Sequence, residues 1–153
     1  MKKKIKIGDI LYRSKGTVEH AGAYFGDGKV IHNSPDGNVQ TCSIDQFSDG
    51  KLMKVKSSEL SLTQESEFLQ RAKQALTKTN TYNPFIFNCE HLVSEILDGV
   101  RSSPQIKGTV VGGTVGTLIA VSTNSKHSWC FALAGALIGC SLVNSQRKYD
   151  HVI

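Results

Sequence analysis

The sequence lacks the cysteine spacings that build metal sites and small disulfide scaffolds. No C-x-x-C pair and no zinc-ligand spacing occurs among its four cysteines, Cys42, Cys89, Cys130 and Cys140. The N-terminal lysines are followed by no apolar h-region, so we expect no secretory signal. These absences favour a cytosolic protein with reduced thiols over a secreted one stapled by disulfides.

Charge is scarce and only weakly biased. Charged residues make up 20% of the 153 residues and hydrophobic residues 39%, which is typical of a folded domain with a core. The net charge is +5, part of it in the N-terminal Lys2-Lys3-Lys4. No basic stripe interleaved with aromatic residues occurs, so we expect no nucleic-acid partner, whereas a short basic end suits an anionic membrane surface.

Charge is missing altogether from two apolar runs near the C-terminus. Residues 108–121 and 129–143 form these runs of about 15 residues each, separated by a polar break. Both runs contain glycines spaced four apart, which permits close helix approach: Gly108, Gly112 and Gly116, then Gly135 and Gly139. Each run is shorter than the roughly 20 residues that an upright helix needs to cross a bilayer.

Three arrangements of this tail are compatible with the pattern. It is a membrane-inserted hairpin, one span with a re-entrant partner, or a helical pair packed on the globular domain. Charge-free runs of this length are hard to cover in so small a protein, which favours membrane association. Trp129 and the flanking Lys126, Arg147 and Lys148 suit anchoring at the membrane interface.

The first half of the chain alternates β-type segments with turn residues. Asp27-Gly28 separates residues 18–25 from residues 29–32, and an Asp-Gly turn between such segments predicts a β-hairpin. Further strand candidates are residues 8–13, 39–42 and 52–55.

Two helices are predicted after these strands. Apolar residues between Phe68 and Leu76 recur on one helical face. A second helix runs from Cys89 to Gly99, with Asn88 as a preferred N-cap residue. Strands followed by helices predict an α+β fold with an antiparallel sheet packed against helices. We expect this domain at residues 1–106 and a hydrophobic tail, a membrane hairpin or anchor, at residues 107–153.

Cys89 is the candidate nucleophile because it begins the second helix. There it faces unpaired backbone N–H groups and the positive end of the helix dipole, which lower the pKa of a thiol. Taken alone, a cysteine at this position is more often a small buried hydrophobe than a nucleophile.

Cysteine catalysis also needs a base and a group that holds the base. His20 and His32 lie on the two arms of the predicted hairpin, where they can face the same side. One ring can then accept the thiol proton while the other fixes its tautomer. His127 in the polar break and His151 at a terminus expected to fray are poorer candidates.

The segments that carry these residues resemble the lecithin:retinol acyltransferase-like family. The first is HAGAYFGDGKVIH, from His20 to His32, and the second is NCEHLV, from Asn88 to Val93. The likeness is to the small phospholipase A/acyltransferase members in particular, and it covers residues 8–106. That family is a circularly permuted relative of NlpC-type papain-like peptidases, with the histidines before the cysteine.

The resemblance implies a permuted papain-like fold and a set of roles. It makes Cys89 the nucleophile, His20 the general base and His32 the residue that orients His20. Tyr24 matches a tyrosine often present in the first motif and, with Asn88, is a candidate for supporting the site, although core packing is the favoured role for Tyr24 because alternate residues of this strand must pack. Family members commonly carry a hydrophobic C-terminal anchor, which agrees with the tail.

We therefore expect a phospholipase A or acyltransferase that acts on glycerophospholipid esters. A Cys89 thioester would pass its acyl group to water, an amine or a lysolipid. No metal or organic cofactor is needed, since thiolate and imidazole suffice. The expected partners are a phospholipid membrane and a lipid substrate, with a cytoplasmic protein held at the membrane by its tail.

Two other functions are compatible with the sequence. One is a cysteine peptidase or amidase of the NlpC type, against which the apolar tail argues, because a soluble substrate needs no anchor. The other is a catalytically idle membrane-remodelling or interaction protein, against which the intact Cys–His–His set argues.

Overall fold

A computed structural model describes residues 4–16, 18–34, 38–78, 88–100, 103–123 and 126–153. Within these ranges the chain forms five helices and an antiparallel six-stranded sheet, which confirms the predicted α+β class. The strands are β1 (Ile10–Lys15), β2 (Val18–Gly26), β3 (Lys29–Asn33), β4 (Val39–Ser43), β5 (Met53–Lys56) and β6 (His151–Val152). The helices are α1 (Ile44–Ser48), α2 (Leu62–Thr77), α3 (Cys89–Asp98), α4 (Pro104–Ser122) and α5 (Ser128–Gln146).

The predicted hairpin forms the middle of the sheet, whose strand order is β4-β3-β2-β1-β5-β6. Asp27 and Gly28 both have positive φ, 49° and 71°, as a type I′ turn requires. In the register of β2 and β3, Gly22 lies opposite His32. His20 is two residues from Gly22, so it projects on the same face of the sheet as His32 and lies diagonal to it.

The two faces of the sheet carry different hydrophobic clusters. On one face, Ala21, Ala23 and Ile31 pack with residues of α2 and α3, including Phe68 and Leu92. The other face carries Leu11, Val30, Met53 and Val55, covered by Phe47 of α1. The alternation along β2 and β3 therefore directs the two histidines toward Phe47, because they share a face with Gly22 and Val30.

Helices α2 and α3 follow the predicted pattern. Ser61 and Gln64 form a capping box at the start of α2. Helix α3 begins after the N-cap Asn88 and ends at Gly99, whose φ is 75°. Arg71 of α2 donates hydrogen bonds to the carbonyl oxygens of Ile96 and Leu97, at 2.9 and 2.6 Å, and so satisfies the end of α3.

The last residues of the chain return to the sheet, which the sequence did not predict. His151, expected at a frayed terminus, lies in β6 opposite Val55 of β5. Backbone hydrogen bonds also join Met53 and Ile153 in both directions, at 3.0 and 2.9 Å. A two-residue strand has no periodicity to detect, and its pairing depends on an edge of β5 that is distant in sequence.

The chain divides into two compact units. The first comprises Met1–Ser14, His20–Ser102 and Lys148–Ile153, and it contains the histidines, Cys89 and the paired strand β6. The second comprises Lys15–Glu19 and Ser103–Arg147, and it contains α4 and α5.

Helices α4 and α5 pack antiparallel through their glycines. A Cβ atom on Gly112 would collide with the carbonyl oxygen of Gly135, and one on Gly108 would collide with that of Gly139. Each helix has 19 residues, longer than the apolar run that predicted it, because Ser103 caps α4 and Pro104 begins it. Large apolar side chains remain exposed on both helices, including Val110, Val111, Leu118, Leu133, Leu137 and Ile138.

Among the described residues, one helix is long and apolar enough to cross a bilayer. It is α5, with a mean hydropathy of 1.4 and only 6% of its apolar window buried. Within the same unit, Arg147 at the end of α5 forms a buried ion pair with Glu19, with Nη1 and Oε2 3.0 Å apart.

Candidate active site

His20 and His32 form a buried pair across the β2–β3 hairpin. Nε2 of His20 lies 3.1 Å from Nδ1 of His32, and the rings are nearly perpendicular, at 89°. The Phe47 ring stacks on His20, with centroids 5.3 Å apart, and meets the edge of His32 at 5.5 Å. The structure therefore brings together the two histidines that the hairpin predicts to be neighbours, and Phe47 restricts the orientation of both rings.

The environment of His32 keeps it uncharged. Burial, and after it the positive charge of Arg13, lowers the pKa of His32 to about 4. At neutral pH its ring therefore offers one N–H donor and one acceptor nitrogen. Such a ring can accept a hydrogen bond from His20 through Nδ1 and donate through Nε2.

Cys89 is the first residue of α3, as predicted, but its predicted pKa is wrong. Burial raises the pKa of the Cys89 thiol. The backbone N–H groups of Ala21, Glu90 and Cys89 itself approach the sulfur and lower its pKa, while the Glu90 carboxylate raises it. Cys89 is only 8% exposed, so desolvation raises the pKa of the thiol by more than the backbone N–H groups at the helix N-terminus lower it. The resting group is therefore a thiol.

The contact with Ala21 brings the thiol to the strand that carries His20. The N–H group that meets Sγ belongs to the peptide bond between His20 and Ala21. Cys89 packs in the same hydrophobic cluster as Ala21, whereas His20 projects toward Phe47 on the other face. The sulfur therefore lies against the backbone of β2 at the residue that follows the candidate base.

The two candidate supporting residues have structural contacts. Oδ1 of Asn88 accepts a hydrogen bond from the His91 N–H at 3.0 Å, so Asn88 caps the helix that presents the thiol. The Tyr24 hydroxyl accepts one from the Gly28 N–H at 3.1 Å. Tyr24 therefore supports the hairpin turn, roughly 13 Å along the strand from His20.

Two residues beside the histidines were missed in the sequence, Arg13 and Phe47. Arg13 follows Leu11 by two positions in β1, so strand alternation alone places a charged residue on an inward face. Phe47 lies in the short helix α1, whose capping box of Ser43 and Gln46 is a readable helix-start signal. The inward position of each side chain was detectable in the sequence. Its role beside the catalytic candidates was not, because that depends on the fold placing Arg13 and Phe47 next to His32.

Comparisons with known proteins show which sequences this chain is similar to. The family model described as lecithin retinol acyltransferase matches residues 3–102, which include both histidines and Cys89. The human protein named phospholipase A and acyltransferase 2 is 26% identical over 166 aligned residues. The alignment covers 94% of this chain and 94% of the human protein, so the similarity extends over the α4–α5 unit as well.

Proposed function

The chain belongs to the lecithin retinol acyltransferase family, and on that premise we propose that it is a thiol phospholipase A and acyltransferase acting on glycerophospholipid esters. Its similarity to a human protein named for both activities supports the reaction class. One observation carries the assignment of residues. The His20–His32 pair, 3.1 Å apart, lies on the strand whose next N–H group meets the sulfur of Cys89.

The contact between the histidines supports an assignment for the thiol proton. Nε2 of His20 contacts His32, so we assign Nδ1 of His20 as the nitrogen that takes the proton from Cys89. Because the sulfur packs with Ala21 while His20 faces Phe47, this transfer requires the thiol and the imidazole to approach each other when substrate binds. Neutral His32 accepts the Nε2–H of His20 through Nδ1, which holds the basic tautomer and stabilises the imidazolium once it forms.

The resting thiol makes His20 a general base during attack rather than the partner of a preformed thiolate. The sulfur of Cys89 attacks the ester carbonyl while His20 takes its proton, and backbone N–H groups at the start of α3 can stabilise the oxyanion. The ester C–O bond then breaks, and the lysophospholipid leaves with the proton from His20. Water, an amine or a lysolipid next attacks the thioester and gives its proton to His20. The C–S bond then breaks, and the Cys89 sulfur takes that proton from His20, which restores the thiol and the neutral base.

Phosphatidylcholine vesicles test this assignment. The full-length protein is expected to release lysophosphatidylcholine and to gain the mass of one acyl chain on the peptide that contains Cys89. Cys89→Ala should abolish both products, and His20→Ala should lower the rate of adduct formation by about 10²–10⁴-fold.

Cys130→Ala is the matched control, because Cys130 is an exposed thiol of α5 outside the site. This variant should retain both products. Lysolipid formed by Cys89→Ala would refute the nucleophile, and cleavage of an amide or peptide but not of phospholipid would favour the NlpC-type alternative.

We also propose that α4 and α5 insert into the bilayer as a hairpin with both ends on the same side. Nineteen residues make each helix about 28 Å long, close to the roughly 30 Å of the hydrocarbon core. The exposed apolar side chains of both helices support this insertion. Lys148–Ile153 belongs to the unit that contains the sheet, so the chain must return after α5 to the side from which α4 departs.

Labelling of single cysteines tests this topology in cells whose plasma membrane alone is permeabilised. Lys148→Cys, introduced after replacement of Cys42, Cys89, Cys130 and Cys140, should react with a membrane-impermeant maleimide as readily as Lys29→Cys in the same background. Protection of Lys148→Cys until detergent is added would instead indicate a single span through α5. Complete release of the protein by alkaline carbonate would exclude insertion.

A further inference from the structure

A polar cavity of about 370 Å³ opens beside His32, next to the pair of histidines. Phe47 contributes an apolar wall, and the other lining residues are Arg13, His32, Gln40, Thr41, Cys42 and Gln46. These residues belong to β1, β3, β4 and α1, so the cavity is built from four elements of the sheet unit. We refer to it as the Arg13–His32 cavity.

Two buried nitrogen atoms of this cavity have no hydrogen-bond partner among the described residues. They are Nε of Arg13 and Nε2 of His32, whose residue is only 8% exposed. Both side chains also pack on the same ring, because Cζ of Arg13 lies 5.9 Å and the His32 centroid 5.5 Å from the centre of Phe47. Nε–H of Arg13 is always a donor, and Nε2 of neutral His32 is a donor when its Nδ1 accepts from His20. Because a buried donor without an acceptor is costly, these two atoms suit an acceptor that enters the cavity.

The charge around the cavity specifies the type of acceptor. Nη1 of Arg13 donates to Asp49 at 2.7 Å, and Nζ of Lys51 lies 3.8 Å from the same carboxylate. Two cations therefore share one acidic side chain, which is 63% exposed and screened by water. The positive charge of Arg13 also contributes to the low pKa of His32, which shows that the guanidinium group interacts electrostatically with the imidazole ring.

We propose that the Arg13–His32 cavity binds an oxyanion of the phosphate class, whose oxygens accept hydrogen bonds from Nε–H of Arg13 and Nε2–H of His32. Arginine suits phosphate oxygens because its N–H groups form a planar, permanently charged fork. The same chemistry is offered by free phosphate and by the phosphodiester of a lipid headgroup.

The bound oxyanion activates the histidine pair, a consequence that rests on the proposed function. An acceptor at Nε2 holds the His32 proton on that nitrogen, which makes Nδ1 of His32 the acceptor for His20. His20 then carries its own proton on Nε2 and presents Nδ1 as the base. An anion in the cavity thus favours the tautomer that removes the proton from Cys89.

Binding is measured directly, without catalysis, on the full-length Cys89→Ala protein in detergent micelles. Inorganic phosphate is titrated at pH 7.5, with sodium chloride adjusted to hold the ionic strength constant. The ¹⁵N shifts of the His32 ring should move saturably toward the Nε2–H tautomer, and the Tm should rise over the same concentration range. A change that chloride reproduces, or a lack of saturation with both phosphate and glycerophosphocholine, would overturn the proposal.

Variants of Arg13 distinguish the contribution of its Nε–H hydrogen bond from that of its positive charge. Arg13→Gln should abolish saturation, and Arg13→Lys should weaken binding at least tenfold, because lysine keeps the charge but lacks Nε–H. Lys29→Gln removes an exposed charge outside the cavity and should bind like the parent. Equal weakening by Arg13→Gln and Lys29→Gln would show a general charge effect and refute the site.

Two further measurements complete the test. One identifies the source of the oxyanion, and the other distinguishes a failure of the cavity proposal from a failure of the proposed function. Saturation by glycerophosphocholine but not by phosphate indicates a lipid headgroup, and the reverse indicates a free anion; saturation by neither refutes the cavity. The wild-type protein is assayed in parallel for lysolipid. Binding without lysolipid means that the proposed function fails, and lysolipid without binding means that only the cavity proposal fails.

Discussion

His32 and Cys89 are both buried, and burial disfavours the charged form of each side chain. For the imidazole this lowers the pKa to about 4, and for the thiol it raises the pKa. Both groups are consequently neutral before reaction. Charge separation is confined to the moment when the thiol proton moves to His20, which lies between them in the proposed path.

The pH dependence of stability should reveal the buried state of His32. Its folded-state pKa of about 4 lies below the ordinary 6.5, so between these values the unfolded chain binds more protons. The free energy of unfolding should therefore fall as the pH drops from about 6.5 to 4, by at most about 3 kcal/mol from this residue. Urea unfolding of the wild type and of His32→Asn at several pH values measures this contribution. The difference between their free energies of unfolding should change between pH 6.5 and pH 4. Parallel curves would contradict the prediction.

Alkylation should distinguish a buried thiol from a preformed thiolate. The pH midpoint of the reaction of iodoacetamide with Cys89 should lie above that of an ordinary thiol, because burial raises its pKa. Mass spectrometry of the modified peptide gives this midpoint, and free glutathione alkylated under the same conditions gives the reference midpoint. A midpoint for Cys89 below that of glutathione would indicate that the helix N-terminus, rather than burial, dominates the pKa of the thiol.

Among the elements, α3 and the α4–α5 pair are built from the most local signals. Asn88 and Gly99 bound α3 in the sequence as they do in the structure. The four-residue glycine spacing of α4 and α5 predicts close approach, and the backbones meet at Gly112 and Gly135. In both cases the residues that decide the element lie within one or two helical turns of one another.

Two adjacent glycines of α4 should respond oppositely to the same substitution. Gly112→Ala places a Cβ against the carbonyl oxygen of Gly135 and should destabilise the helix pair by about 1–3 kcal/mol. Gly113→Ala meets Ala132 O at an ordinary 3.5 Å and should be neutral or stabilise α4 by up to about 1 kcal/mol. Fluorescence of Trp129, the single tryptophan, follows unfolding of this pair in detergent. Equal effects of the two substitutions would refute the glycine contact.

At the scale of the whole molecule, β6 makes the C-terminus part of the sheet unit. Tyr149 meets Tyr12 edge to face, with centroids 5.5 Å apart, and Oδ2 of Asp150 accepts a hydrogen bond from the Ser57 N–H at 2.7 Å. Helices α4 and α5 are therefore preceded and followed along the chain by residues of the same unit.

Removal of β6 should weaken the sheet even though it lies far in sequence from the candidate site. Deletion of residues 151–153 removes the pairing with β5 and is expected to cost about 1–4 kcal/mol. Hydrogen exchange should report faster exchange at the Met53 N–H, which donates to Ile153 O at 3.0 Å. Lys148→Ala, which leaves these hydrogen bonds in place, is the control. Unchanged exchange after the deletion would contradict a structural role for β6.

The sequence by itself determined the features that depend on neighbours along the chain. Asp27-Gly28 specifies the turn, strand alternation puts His20 and His32 on one face, and Asn88 starts the helix that begins with Cys89. Local dihedral preference and the two-residue period of a strand are sufficient for these predictions.

Only the tertiary structure decided the features that depend on desolvation and on contacts between distant segments. The raised pKa of Cys89 results from the cluster packed around it, although its position at a helix start predicted the opposite shift. Arg13 reaches His32 because β1 and β3 lie on either side of β2, and β6 exists because β5 offers it an edge. Burial and edge pairing are properties of the assembled sheet, so no local sequence pattern encodes them.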